Sequence, residues 1–192
     1  MELIARNFEC FPATSPACEV LRPVLRQCAE VKFPFRISER NSNQFTFDFD
    51  AHLKSRLIAC GAVEADLALP REITKEYDFV FSVGDKKVVA EVEKANWNKI
   101  LYDFLKFHMY FQHGADFAAL FLPKNWPHAH GEENLFEIGS IRYQQCVQFG
   151  FGTRVLFDRI ALVGYEQYTV ENVLLTSLVR SALIAARHRA VS

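Results

Sequence analysis

Residues 77–93 read YDFVFSVGDKKVVAEVE, and the fold turns on them. Tyr77 to Val83 is a β-branched and aromatic run, Gly84-Asp85-Lys86 is a tight turn, and Lys87 to Glu93 is a second strand-like run. So short a connection predicts an antiparallel hairpin. Side chains alternate faces along a strand, so Glu91 and Glu93 share one face. Ala90 and Val92 then point into the opposite, apolar layer. Closing the hairpin returns Asp78 to the far end of the second strand, opposite or close to Glu91 to Glu93. Three carboxylates are therefore expected at one end of the hairpin.

The pattern continues outward from this pair. Residues 96–114, NWNKILYDFLKFHMYFQHG, predict a long helix with Asn96 as N-cap and Gly114 as the stop. Trp97, Ile100, Leu101, Phe104, His108 and Phe111 form one stripe, and Lys99, Asp103, Lys106 and Tyr110 another. Residues 116–122, DFAALFL, predict a buried strand ending at Pro123. Strand, helix and strand together make a βαβ-type crossover. Upstream, residues 50–60 read as a helix capped by Asp50 and closed by Gly61. Residues 17–31 read as a helix containing Pro23, residues 38–44 as a polar loop, and Phe45, Phe47 and Phe49 as strand-like alternation. Downstream, residues 123–140 are expected as a polar loop, Cys146 to Phe149 and Val155 to Tyr165 as strands, and 170–187 as a helix. The order predicts an α/β fold with a mixed central sheet flanked by helices.

Composition narrows the classes. A chain of 192 residues, half hydrophobic and 23% charged, is ordinary globular material and fits a single domain over 1–192. Eighteen Phe, six Tyr and two Trp promise a large core. A net charge of −1 excludes attachment to DNA by bulk charge, but not through a local basic cleft. No apolar run is long enough to span a membrane, and MELIARNFECF lacks a signal-peptide core, so a cytoplasmic protein is expected. The cysteines at 10, 18, 28, 60 and 146 are odd in number and form no CxxC pair, against a disulfide framework or zinc ribbon.

Clustered carboxylates raise one another's pKa, and a divalent cation relieves the repulsion. Oxygen-only ligands favour Mg²⁺, with Mn²⁺ as a substitute, over zinc. A hard cation on a few carboxylates is the machinery of metal-assisted phosphodiester hydrolysis. The plainer reading is a solvated acidic sheet edge. Lys99 and Lys106, seven residues apart near the acids, are candidates to meet DNA phosphates. His128 and His130, with Glu132 and Glu133 following, form a weaker metal-binding pattern for which solvated loop histidines are the plainer account. His108 reads as a core histidine. The basic end at Arg180, Arg187, His188 and Arg189 is explained by compensation of the helix dipole.

Asp78 followed by Glu91-Val92-Glu93 resembles the motif of the PD-(D/E)xK nuclease superfamily, in the E-x-E variant found in type II restriction endonucleases of the BamHI and BglII group. The stretch KKVVAEVEKANWNKILYDFLKFHMYFQHGADFAALFLP is similar to that group in running from catalytic strand through a polar turn and a helix to an aliphatic strand. The resemblance spans roughly residues 45–125. It implies a restriction-endonuclease-like core and a Mg²⁺-dependent endonuclease acting on double-stranded DNA as a homodimer. Asp78, Glu91 and Glu93 would be the catalytic residues. The same three side chains, with the main-chain carbonyl of Val92, would hold the metal. Tyr77 stands where the motif has Pro, and Lys94 falls on the strand face opposite Glu93. These departures keep two alternatives open: a non-catalytic DNA- or protein-binding module on the same fold, or a structure-specific repair or mobile-element nuclease.

Overall fold

The computed structural model describes residues 1–37, 44–45, 48–70, 77–94, 96–128, 131–150 and 154–191. Its elements in chain order begin with β1 (Glu2–Phe11), α1 (Pro16–Gln27), β2 (Glu30–Pro34), β3 (Arg36–Ile37) and β4 (Gln44–Phe45). Then come α2 (Phe49–Ala59), β5 (Val63–Glu64), β6 (Phe79–Val83), β7 (Lys86–Val92), α3 (Lys99–Gln112) and β8 (Phe117–Pro123). The chain continues with β9 (Trp126–His128), β10 (Gly131–Glu133), α4 (Leu135–Gln148), α5 (Arg154–Phe157), β11 (Ile160–Thr169) and α6 (Ser177–Val191). Among the described residues, seven strands form one mixed sheet in the order β2-β1-β11-β8-β7-β6-β5. No helix among them is long and apolar enough to cross a membrane.

The hairpin forms as its sequence predicts. Phe79 pairs with Ala90 and Val83 with Lys86 across the β6–β7 ladder, and Gly84 supplies the positive φ of +61° that the tight turn demands. β8 lies parallel to both β7 and β11, joined to β7 by the α3 crossover. It is buried on both faces, which is why FAALFL carries no polar alternation. Phe79, Phe81, Val88, Ala90, Val92, Ala119 and Phe121 pack toward α1 and α2. Val80, Val89, Ala118, Leu120 and Leu122 pack toward α3 and α4. The two faces of one hairpin thus feed two separate cores.

Several sequence expectations are corrected. Residues 2–11, to which no element was assigned from the sequence, form a strand, and the helix expected over 17–31 ends at Gln27, with 30–34 a second strand. In β1 the alternation is hidden by a register shift between Arg6 and Glu9, with Asn7 at φ +56°. The polar loop expected over 123–140 and the strand expected at 146–149 give way to the β9–β10 hairpin and α4. Leu135, Phe136, Gly139, Tyr143 and Cys146 are the buried stripe of that helix. Val155 to Phe157 is a turn of helix, and the strand begins at Ile160. Phe49 begins α2 instead of ending a strand. Phe47 and residues 38–43 lie outside the described residues.

α4 approaches the sheet closely because Gly164 of β11 has no side chain. A Cβ there would stand 2.7 Å from Cγ of Phe136 and 2.8 Å from Cε of Lys124. Gly164→Ala should therefore lower stability by about 1–3 kcal/mol through overpacking. A urea titration reads this as a lower midpoint at unchanged slope, and an unchanged midpoint would show that the Phe136 ring yields freely.

Candidate active site at the end of the hairpin

The ladder between β6 and β7 ends at Phe79 and Ala90, and the next position on each strand is acidic. Asp78 continues the pairing with its side chain: Oδ2 accepts the Val92 N–H at 2.7 Å. That bond sets Asp78 at the end of β7, one pair beyond Phe79 and Ala90 and so beside Glu91. Glu91 and Glu93 follow the period of two and are both buried on the α3 side, while Val92 joins the opposite core.

α3 is rolled differently from the stripe expected in the sequence. Its buried face is Ile100, Asp103, Phe104, Phe107 and Tyr110, while Leu101 and His108 are exposed. His108 is therefore not a core histidine; its Nε2 lies 3.3 Å from Gln112 Nε2. This roll directs three polar groups of α3 at the strand acids. Lys106 Nζ forms an ion pair with Glu91 Oε1, with the two side chains only 11% and 8% exposed. Tyr110 donates its hydroxyl to the same oxygen at 3.1 Å. Asp103 enters the buried stripe one turn from Lys106. Burial pushes the Glu91 carboxyl above its ordinary range, against the pull of Lys106. Burial and the charges of Glu91 and Glu93 push Asp103 up to about 7, despite the opposing pull of Lys106 and Lys99.

Glu93 does structural work at the strand end. Its Oε1 accepts the Lys94 N–H at 3.0 Å and the Asn96 N–H at 2.9 Å, holding the turn into α3. Lys99 Nζ stands 3.7 Å from its other oxygen and remains 61% exposed. Of the two lysines expected to meet phosphate, Lys99 is thus open to solvent and Lys106 is turned inward on Glu91. Lys94 reaches the other face, where Nζ lies 2.8 Å from Asp50 of α2. Asp50 is raised by burial, with Lys94 opposing that shift, and its Oδ1 is buried without a hydrogen-bond partner. On this α2 side a cleft of about 800 Å³ runs past Asp48, Asp50, Lys54, Asp66, Tyr77 and Asp78. Elsewhere, His128 lies 4.0 Å from Glu133 across the β9–β10 hairpin, and His130 is outside the described residues.

The donor chemistry fits a hard divalent cation: buried carboxylates, no thiolate or imidazole, and ammonium groups standing in as counter-ions. The arrangement is not a closed cage. Among the described residues no three acidic, His or Cys side chains gather to hold a metal by themselves. Mg²⁺ does not require one, since it commonly binds through one or two carboxylates plus waters and substrate phosphate. Asp103 and Asp50 are the residues sequence reading missed here. The signal for Asp103 was present, because it interrupts an otherwise apolar series spaced three and four apart, Ile100-Asp103-Phe104-Phe107.

No protein-family model matches the chain, and no curated protein does. Among solved structures it is similar to restriction endonuclease BglII complexed with a DNA 16-mer, at a TM-score of 0.51 and 14% sequence identity. The similarity covers 85% of this chain and 78% of that one. The likeness is one of fold: a curled mixed sheet between helices, the restriction-endonuclease-like architecture.

The Lys106–Glu91 pair generates the first test of the site. Removing one partner of a buried pair leaves the other charge uncompensated, so Lys106→Met should cost about 3 kcal/mol near pH 8. The loss should shrink as pH is lowered and Glu91, whose pKa burial raises, takes up its proton, and it should largely vanish in the double variant with Glu91→Met. Guanidinium denaturation of the four proteins closes the cycle, and an additive double variant would mean that the pair is not coupled.

Asp103 generates the second. Its pKa is near 7 folded and about 3.9 unfolded, so folding takes up a proton between these values. Below about pH 4 the carboxyl is neutral in both states and there is no charge to desolvate, and stability falls as pH rises from there to about 7. Asp103→Asn should therefore gain on the wild type by up to ~1.4 kcal/mol per pH unit across that window and level off above it. A pH-independent difference between the two metal-free proteins would show that the carboxyl does not titrate there.

Proposed function

We propose that the protein is a Mg²⁺-dependent endonuclease that hydrolyses phosphodiester bonds of double-stranded DNA, in the manner of type II restriction endonucleases. The observation that carries this reading is the Asp78–Val92 bond, which fixes the acid just before β6 beside the E-x-E that ends β7, at one end of a restriction-endonuclease-like sheet. Asp78 and Glu91 would hold the metal, with the Val92 carbonyl as a further oxygen and Glu93 at a second position or on the attacking water. Bound there, Mg²⁺ supplies Lewis-acid polarisation of the phosphate and a water of lowered pKa. The chain's own residues do the rest. Asp78 is oriented by the Val92 N–H, Tyr110 fixes one oxygen of Glu91, and the exposed ammonium of Lys99, near Glu93, would meet a phosphate. Mn²⁺ substitutes for Mg²⁺ on the same oxygens. Cutting both strands of a duplex calls for two sites, so the active species is a homodimer. Leu101, Tyr102 and Leu105 leave an exposed apolar groove against α4 on which a second copy can pack.

One observation favours a second reading, a non-catalytic DNA- or protein-binding module. Glu91 already carries an ammonium group, and no three acids form a ready-made cage among the described residues. A structure-specific nuclease is separated from both by its products.

With Mg²⁺, purified protein should convert long duplex DNA into discrete fragments on a gel, and light scattering with DNA should give the mass of a dimer. Asp78→Asn and Glu93→Gln should slow cutting on the order of 100-fold to 1,000-fold. Glutamine keeps an oxygen for the Lys94 and Asn96 N–H groups, so the turn into α3 survives. Lys94→Ala is not a neutral control, because it strands Asp50. Lys86→Ala, at the far end of the hairpin, serves instead. No cutting across metals and a broad DNA library gives the non-catalytic reading its place, and cleavage confined to flaps or branches gives the structure-specific one its place.

A further inference from the structure

α3 carries a carboxylate that the strand motif does not explain. Asp103 is only 5% exposed, flanked on its own helix by Ile100, Phe104 and Phe107. Among the described residues it makes no hydrogen bond and no ion pair, whereas Asp78, Glu91 and Glu93 each have a bonded partner. A buried, unbonded carboxylate is costly, and an apolar residue would suit this face of the helix better. Its neighbours increase the cost. Asp103 lies on α3 between Lys99, whose Nζ stands 3.7 Å from Glu93, and Lys106, which pairs with Glu91, so the two strand glutamates reach the same stretch of the helix and add like charge. Asp78, Glu91, Glu93 and Asp103 carry four formal negative charges against the two positive charges of Lys99 and Lys106. The balance of two is what one divalent cation neutralises.

We propose that Asp103 is a ligand of the divalent cation at this site, sharing it with Glu91 or Glu93 directly or through one water of its shell. The inference rests on the metal-dependent reading above and adds a residue from α3 to a site otherwise built from β6 and β7. It gives a buried carboxylate the partner it lacks.

The test titrates Mn²⁺ alone into the full chain at pH 7.5 by calorimetry, for wild type, Asp103→Asn and Asp78→Asn. Melting temperature is measured for each with and without Mn²⁺. Asp103→Asn should bind Mn²⁺ at least tenfold more weakly, melt higher than wild type without metal, and gain less on adding it. Asp103→Ser, which also lacks the carboxylate, should show the same loss of binding, and stands in if the Asn variant fails to fold. Wild-type affinity in Asp103→Asn alongside lost affinity in Asp78→Asn overturns the role of Asp103 and leaves the metal site standing. Absence of Mn²⁺ binding in the wild type overturns both.

Discussion

A single hydrogen bond, from the Val92 N–H to the carboxylate of Asp78, ties the register of a core strand to the geometry of the site. The β6–β7 ladder ends one pair earlier, and without Asp78 the Val92 amide would lose this acceptor. The register that allows the bond also sorts β7, with Val88, Ala90 and Val92 facing α1 and α2 and Val89, Glu91 and Glu93 facing α3. A slip by one residue would turn both glutamates into an aromatic layer and two valines onto a charged helix face. Packing therefore enforces the site: the apolar half of the alternation holds the acidic half in place.

The second organising fact is charge compensation by residues rather than solvent. Glu91 is matched by Lys106 and Tyr110, Glu93 by two backbone N–H groups and Lys99, and Asp50 by Lys94. Each pairing crosses from one element to another or braces the turn between two. The acids thus clamp α2 and α3 onto the hairpin, at the cost of removing charged groups from water. Asp103 stands outside this scheme, close to the other carboxylates but bonded to none among the described residues.

The hairpin, the α3 crossover and β8 were legible in the sequence because local signals agreed: β-branched runs, a tight Gly turn, and a long period of 3.6. The alignment of Asp78 with Glu91 was legible because hairpin pairing is nearly a counting problem. The roll of α3 was not. Trp97, Leu101 and His108 look as suitable for a core as Phe107 and Tyr110 do, and only packing against β7 and β8 decides between them. α4 was hidden because Gly139, poor in helix propensity, serves a tertiary need. A Cβ there would stand 2.6 Å from Cδ1 of Leu122. β1 was hidden by its irregular register, and the ion pair of Lys106 required knowing which way α3 faces.

The middle of the sheet has a temporal side. β1 is the first strand in the chain, yet it pairs with β2 and with β11, whose residues 160–169 come near the other end. β6, β7, α3 and β8 are contiguous and can assemble while the chain is still emerging from the ribosome. The free edge of β8 must then wait for β11, and β1 with its partner β2 must wait for the same strand before joining the sheet. A strand of buried Ala, Leu and Phe with one open edge is a template for pairing with another chain. During synthesis the acidic end of the hairpin can thus be in place before the sheet that supports it is closed. β11 is the strand that turns two half-sheets into one, and the protein is most exposed to misassembly in the interval before it arrives.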